Sequence, residues 1–311
     1  MTSPRRTILW PMMIIAVGSI WLLMVAGAFP EAVGDILMRA WPALLILFGF
    51  DILVGRRRLR INRWQLPLNV AGLVITLALL GGVVWFAYAK QADEVRADQV
   101  KVLVEPLGEG ISRVRLEASL TRTAIRLEVA DENTVSAEFK GSRESAVEMT
   151  SAVEGGILVV KVSESNLNSI PKLEDYGRST LTLRVPAGTA VERLDLSSSE
   201  GGMVLDLQTL SVERVALEAG QGDVKVILPA QNTLTGTMVV ADGGLELQVP
   251  PNMALTVEFQ GQGRPNYQYD QDNYQKLEGG PLESEDANGQ FQISLDVTLD
   301  NGANFTLVDI Q

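Results

Sequence analysis

The 311-residue chain contains no cysteine and no histidine. That excludes thiolate nucleophiles, histidine general bases, Ser-His-Asp triads and zinc sites built on Cys or His. Without cysteine there are no disulfides, so redox chemistry does not report the compartment. Basic residues are scarce after Lys90: the remaining 221 residues hold 17 Lys and Arg against 35 Asp and Glu, a net of −18. Such a surface repels phosphate rather than releasing counterions from it, so no nucleic-acid partner is expected. Long apolar runs are missing there too. The first 90 residues are the opposite, with nine basic and three acidic side chains and a net of +6. An apolar, basic front followed by an acidic back predicts an anchor carrying a soluble domain.

Three apolar runs lie in the front part, at about 8–28, 36–54 and 66–89. Each has about the 20 residues that cross a hydrocarbon core of ~30 Å at about 1.5 Å per residue. Arg5 and Arg6 precede the first run, and Arg56, Arg57, Arg58, Arg60 and Arg63 fill the loop between the second and third. By the positive-inside rule these arginines set the topology, placing the N-terminus and the arginine loop in the cytoplasm. Three spans then put everything after Lys90 outside. The expected organisation is a multi-pass plasma-membrane domain over 1–90, a juxtamembrane linker over 91–99 and an extracytoplasmic domain over 100–311. A cleaved signal peptide is the competing reading of the first run, since Ala26-Gly27-Ala28 fits the small-residue cleavage pattern.

The first two runs repeat one another. Trp10-Pro11 is followed by Gly18, and Trp41-Pro42 by Gly49, with the same spacing. Tryptophan suits the interface, proline the first helical turn, and a mid-helix glycine the close approach of a neighbour. In an antiparallel hairpin each glycine falls ~12 Å along its helix from the tryptophan, near the midplane. The bland reading is that all three residue types are common in membrane helices. The segment from Leu9 to Arg58, with Trp41-Pro42-Ala43-Leu44-Leu45-Ile46-Leu47-Phe48-Gly49 and the arginines after it, resembles the LiaI–LiaF-like transmembrane region of bacterial envelope proteins. The third run is not part of that pattern.

From Val100 onward the sequence alternates apolar and polar residues, as in VRLEASL, ILVVKV, LTLRV, VKVIL and ISLDV. Period-two alternation rich in Val, Leu and Ile predicts half-buried strands, so this domain is expected to be all-β. It also repeats. Strand pairs flank Gly201-Gly202, Gly220 to Gly222 and Gly243-Gly244, at a spacing of about 20 residues. An earlier unit is expected around Gly155-Gly156, and a degenerate one at VRLEASLTRTAIRLEV. Two short strands and glycine turns per unit predict a β-solenoid, in which each unit buries its apolar face only by stacking on the next. A sandwich of glycine-turn hairpins is the alternative.

The pattern of apolar strand, glycine-rich turn, apolar strand and Leu-Pro resembles the adhesin-type or toast-rack β-domains of cell-wall-active-antibiotic response proteins. Its best local match is Val215 to Val224. The resemblance implies envelope-stress sensing or surface interaction, with a sensor kinase or a cell-wall or surface ligand as partner beside the lipid bilayer.

Gly220-Gln221-Gly222-Asp223 superficially matches a calcium-binding nonapeptide, but the other turns lack Asp at the same place, which favours a structural turn. The carboxylate pairs Glu174-Asp175 and Glu285-Asp286 lie in loop-like, solvated stretches. No catalytic residue, metal site or cofactor is expected. The segment from Gly261 to Gly280 breaks the repeat with Tyr267, Tyr269 and Tyr274 among Asn, Gln and Asp. That composition suits a contact surface, or else tyrosines that cover the open end of the stack. The expected function is therefore non-enzymatic: an envelope membrane protein that senses or regulates a stress response, or alternatively a membrane-anchored surface scaffold or adhesin.

Overall fold

The computed structural model describes residues 58–61, 64–67, 81–82, 85, 97–108, 110–141, 145–166, 179–251, 253–260, 266–277, 280–284, 291–300 and 303–310. The chain divides into two units, Met1–Glu94 and Val95–Gln311. In the first unit, β1 (Arg58–Ile61) and β2 (Trp64–Pro67) form an antiparallel hairpin, with Arg58 opposite Pro67 and Ile61 opposite Trp64. Residues 81, 82 and 85 are helical. Among the described residues no helix is long and apolar enough to cross a membrane. The first two expected spans, with Trp10, Pro11, Gly18, Trp41, Pro42, Gly49, Arg5, Arg6, Arg56 and Arg57, lie outside the described residues, as does Arg63. The third span needs a correction at its start, because Leu66 and Pro67 belong to β2. The alternation of RLRI and WQLP about two intervening residues is a hairpin pattern, and it outcompetes helix there.

The second unit is all-β. Its first strands are β3 (Gln99–Pro106), β4 (Arg113–Leu120), β5 (Thr123–Ala130), β6 (Thr134–Gly141), β7 (Ser145–Glu154), β8 (Ile157–Asn166) and β9 (Ser179–Pro186). Next come β10 (Ala190–Ser198), β11 (Met203–Asp206), β12 (Ser211–Val212), β13 (Arg214–Gln221), β14 (Val224–Ile227), β15 (Leu234–Asp242) and β16 (Gly244–Val249). The last are β17 (Met253–Gln260), β18 (Asn266–Gln268), β19 (Tyr274–Lys276), β20 (Leu282–Ser284), β21 (Phe291–Leu299) and β22 (Asn304–Asp309).

They make two sheets. One has 11 strands, with the path β19-β20-β17-β21-β15-β13-β10-β4-β8-β7 and β12 attached to β10. The other has nine, in the order β18-β22-β16-β14-β11-β5-β9-β6-β3. Each coil of chain gives one strand to each sheet, as β13 and β14 do, and successive coils pair in parallel in both sheets. Parallel pairing of consecutive coils defines a stack and rules out a sandwich of hairpins. VRLEASLTRTAIRLEV is one full coil, β4 with β5. Gly155-Gly156 is not a coil corner: it joins β7 and β8 in an antiparallel hairpin. Both glycines have positive φ, 58° and 83°, which is the backbone a two-residue hairpin turn requires.

Stack order also departs from chain order. The coil of β8 and β9 sits outside that of β4 and β5, and β21 with β22 inserts between the β15–β16 coil and the β17–β18 coil. Antiparallel strands flank the stack, β7, β6 and β3 at one end and β20 and β19 at the other, where the nine-stranded sheet finishes on β18, parallel to β22.

The core lies between the sheets and is built of ladders running from coil to coil. In one, Ile125, Met203, Val224, Leu245, Phe305 and Tyr267 stand in register. A second runs Leu127, Leu205, Val226, Leu247 and Leu307. Nearly all of these are buried, so each coil covers the apolar side chains of its neighbours. Burial at about 25 cal/mol per Å2 is what holds such a stack together.

Among the described residues one carboxylate sits on an inward row. Glu164 follows Leu158, Val160 and Val162 on β8 and is 9% exposed. Its carboxylate accepts hydrogen bonds from Thr121 N at 2.9 Å, Arg122 N at 3.1 Å, Thr123 Oγ1 at 2.8 Å and Ser145 Oγ at 2.6 Å. The outermost coil is thereby tied to the corner between β4 and β5.

Candidate functional surface

Because side chains alternate across a strand, the residues between the core positions all reach the outer faces. On the 11-stranded sheet, one outward row runs Thr150, Lys161, Glu117, Asp195, Ala216 and Thr237. The next runs Glu148, Ser163, Ser119, Ser197, Glu218 and Val239. Small side chains in the middle of these rows leave an open groove of about 650 Å3. Lys161 Nζ lies 2.9 Å from Glu117 Oε2 within it. Arg193 Nε lies 2.6 Å from Asp195, so Glu148 and Glu218 carry the groove's net acidity, with serine hydroxyls along its floor. Chemically this is a hydrogen-bonding surface for polar or cationic groups. Among the described residues no cluster of three or more acidic side chains is arranged to hold a metal ion.

The outer face of the nine-stranded sheet carries fixed ion pairs instead. Arg184 lies 3.1 Å from Glu138 and 3.2 Å from Glu128, and Lys140 is 2.7 Å from Glu138. Hydrogen bonds from Lys140 and then Arg184 hold the Glu138 carboxyl below the usual carboxylate range. Lys225 does the same to Glu246 from 2.9 Å.

At the far end of the stack, all three tyrosines singled out from the sequence are brought together over the last coil. Tyr267 packs edge-on against Phe259, ring centroids 4.8 Å apart, and continues the ladder that ends at Phe305. The Lys276 ammonium sits over the Tyr267 ring at 3.3 Å, a contact that favours the ring face. Tyr269 packs partly buried on the core. Tyr274 is 6% exposed, and its hydroxyl donates to Asp309 Oδ1, while Asn273 donates to Oδ2 of the same carboxylate at 2.7 Å. The rings cover the open end, and their polar edges make the rim.

Burial, and then the Asp309 carboxylate, push the Tyr274 phenol well above its ordinary value. A raised folded value means that Tyr274 supports the fold below the unfolded value of about 10 and loses that support as pH rises through the folded one. In an alkaline spectrophotometric titration, the last tyrosine to ionise is expected to disappear in Tyr274→Phe. An unchanged final step would show that the phenol is not sealed at this end.

Of the other sequence candidates, Asp223 serves its turn: Oδ1 accepts the Gly244 N–H at 2.8 Å, bridging to the next coil. Arg58 and Arg60 lie on β1. Glu174-Asp175 and Glu285-Asp286 lie outside the described residues. The serine-carboxylate rows were not singled out from the sequence. Their signal was present, since Glu117, Ser119, Asp195, Ser197 and Glu218 are the polar half of strands that were recognised. Nothing in the sequence says that these strands are neighbours.

The fold defines a class: a two-sheet, parallel stack of short coils of the toast-rack type. Residues 112–249 match the family model described as Toastrack DUF4097, a span that runs from β4 to β16. Over that span the β-domain is similar to the toast-rack family. No curated protein matches the sequence significantly. The structure of a "putative cell adhesion protein" from Clostridium sporogenes is similar, with a TM-score of 0.56 and 14% identity, covering 68% of this chain and 99% of that one. At that identity the likeness concerns the fold alone. A "putative adhesin" from Bacteroides fragilis covers 70% of this chain and 100% of its own at 9% identity, but its TM-score of 0.22 is too low to carry an argument.

Proposed function

We propose that this is a non-enzymatic, membrane-anchored envelope protein whose toast-rack domain is a surface scaffold, held outside the cytoplasm by residues 1–90. The observation that carries this reading is the division of labour in the stack. The parallel stack is flanked by antiparallel strands towards its ends, while the broad outer face of the 11-stranded sheet keeps an open groove of serines and carboxylates. A rigid stack with a wide polar face suits binding of cell wall, lipid headgroups or another protein more than turnover of a small substrate. The acidic domain, the arginine-rich loop and the three apolar runs support the anchor and its orientation.

A second reading, regulation of an envelope-stress response through a sensor kinase, is favoured by the Trp-Pro/Gly repeat of the first 50 residues and its LiaF-like character. One pair of experiments separates them. The chain has no cysteine, so a single Val204→Cys, at a position 46% exposed on the nine-stranded sheet, reports topology. Intact cells are expected to react at this position with a membrane-impermeant maleimide; labelling only after lysis would sink the extracytoplasmic placement. Residues 1–90 are then exchanged for an unrelated three-span anchor. Retained surface binding with no change in a stress reporter supports the scaffold, and a lost reporter response supports signalling.

A further inference from the structure

At the end of the stack opposite the tyrosines, β3 is the outermost strand of the nine-stranded sheet, and no described strand pairs with its far side. Its register on β6 sets Val100 opposite Lys140, Val102 opposite Glu138 and Val104 opposite Ser136. The three valines therefore share the outer face with those polar residues, and they are 51%, 59% and 54% exposed. Soluble proteins blunt sheet edges with short strands, bulges or outward charge. β3 is eight residues long, pairs without a bulge and points its charges the other way. Lys101 Nζ donates to the Val147 carbonyl, and Ser151 Oγ donates to Glu105 Oε1 at 2.5 Å. These contacts fasten β3 to β7.

The sequence of β3 is complementary to itself. Laid antiparallel on a second copy about Leu103, Lys101 faces Glu105 of the other strand, Val102 faces Val104, and Val100 faces Pro106. Both Lys–Glu pairs then fall on one face and the valines on the other. The remainder of the domain argues against casual self-contact, because the net charge of −18 after Lys90 makes two copies repel. β3 carries one lysine and one glutamate, so this edge alone presents a charge-balanced, valine-rich strip.

We propose that two copies of this chain associate through β3, antiparallel and centred on Leu103, so that their nine-stranded sheets continue into each other. Backbone hydrogen bonds between the edges supply the attraction, and the valine row and the Lys101–Glu105 pairs fix the register. The second copy is preferred over another partner because the strand's own charge order is its complement.

The absence of cysteine makes the test clean in the full-length chain, in native membranes or in detergent. Leu103→Cys is expected to give a disulfide-linked dimer on mild oxidation. Val102→Cys chains mixed with Val104→Cys chains should cross-link to each other more than either does alone, and Val204→Cys should not. Lys101→Glu is expected to weaken self-association by about tenfold or more, since it turns two attractive pairs into repulsive ones, and Lys101→Glu with Glu105→Lys should restore it. That charge exchange separates pairing from any loss of the Lys101 contact with Val147. A chain that stays monomeric, a double variant no better than Lys101→Glu, or cysteines that capture a different protein instead would each overturn the proposal.

Discussion

Gly243→Val is expected to cost the β-domain about 3–5 kcal/mol, enough to unfold a domain of ordinary stability under mild stress. Two effects add. Gly243 has φ of 134°, a conformation that a β-branched residue adopts only with strain of about 1–3 kcal/mol. A Cβ there would also lie 2.4 Å from the Gly222 carbonyl oxygen and 2.7 Å from its carbon. Both are backbone atoms of the neighbouring coil, so no rotamer change relieves the clash. The coils cannot part either: Gly222 N donates to Asp242 O at 2.8 Å, and Gly243 O accepts Asn304 N at 3.3 Å. Parallel pairing of β13 with β15 before the corner and of β14 with β16 after it fixes the spacing at about 4.8 Å on both sides. Gly188→Ala is the control. It also has positive φ, 74°, but nothing lies within 4 Å of the added carbon, so about 1 kcal/mol is expected. Urea unfolding of the full-length chain, followed by the β-sheet circular dichroism signal, compares them. Equal losses would mean that close stacking at the corners is not what holds the coils.

This corner was legible in the sequence because it repeats. The spacing of Gly202, Gly222 and Gly244 marked the coils, and the alternation of Val, Leu and Ile marked the two strands in each. The family-matched span, β4 to β16, contains all three corners. What stayed hidden has two physical causes. Every coil presents the same inward alternation, so an apolar row such as Leu245, Leu247 and Val249 fits many neighbours equally well. The insertion of β21 and β22 against β15 and β16 is decided by long-range complementarity, with Phe305 extending the ladder from Leu245, and no local signal reports it. Glycine also has two uses that look alike in sequence. At Gly155-Gly156 both positive φ angles make a hairpin, whereas Gly201 and Gly202 make a stacked corner without them. The tyrosine segment was recognised as a break in the repeat, and its rings complete the end of the ladder. The valines of β3 read as ordinary alternation, since exposure depends on which strands come to lie beside them.

Glu164 is the other residue that the alternation could have exposed, as a carboxylate on an apolar row, and its variants should separate by size of effect. Glu164→Ala is expected to lose about 3–5 kcal/mol and Glu164→Gln about 1–2 kcal/mol. Alanine removes the acceptor from four donors at once. The hydroxyls of Thr123 and Ser145 can turn to other acceptors, but the amides of Thr121 and Arg122 are fixed by the turn between β4 and β5. Two N–H groups stranded at this half-buried turn carry most of the cost. Glutamine keeps a carbonyl oxygen where Oε2 stands, so the two amides and Thr123 retain their acceptor. Its NH2 then meets Ser145 Oγ, 2.6 Å from Oε1 in the wild type, and that hydroxyl can rotate to accept. Hydrogen exchange localises the effect: the amides of Thr121 and Arg122 should lose protection sharply in the alanine variant and only slightly in the glutamine variant. If both variants unfold at the same urea concentration, or if those amides are indifferent to residue 164, the carboxylate is not what ties the outermost coil to the stack, and the hairpin of β7 and β8 must hold by packing and by the pairing of β8 with β4.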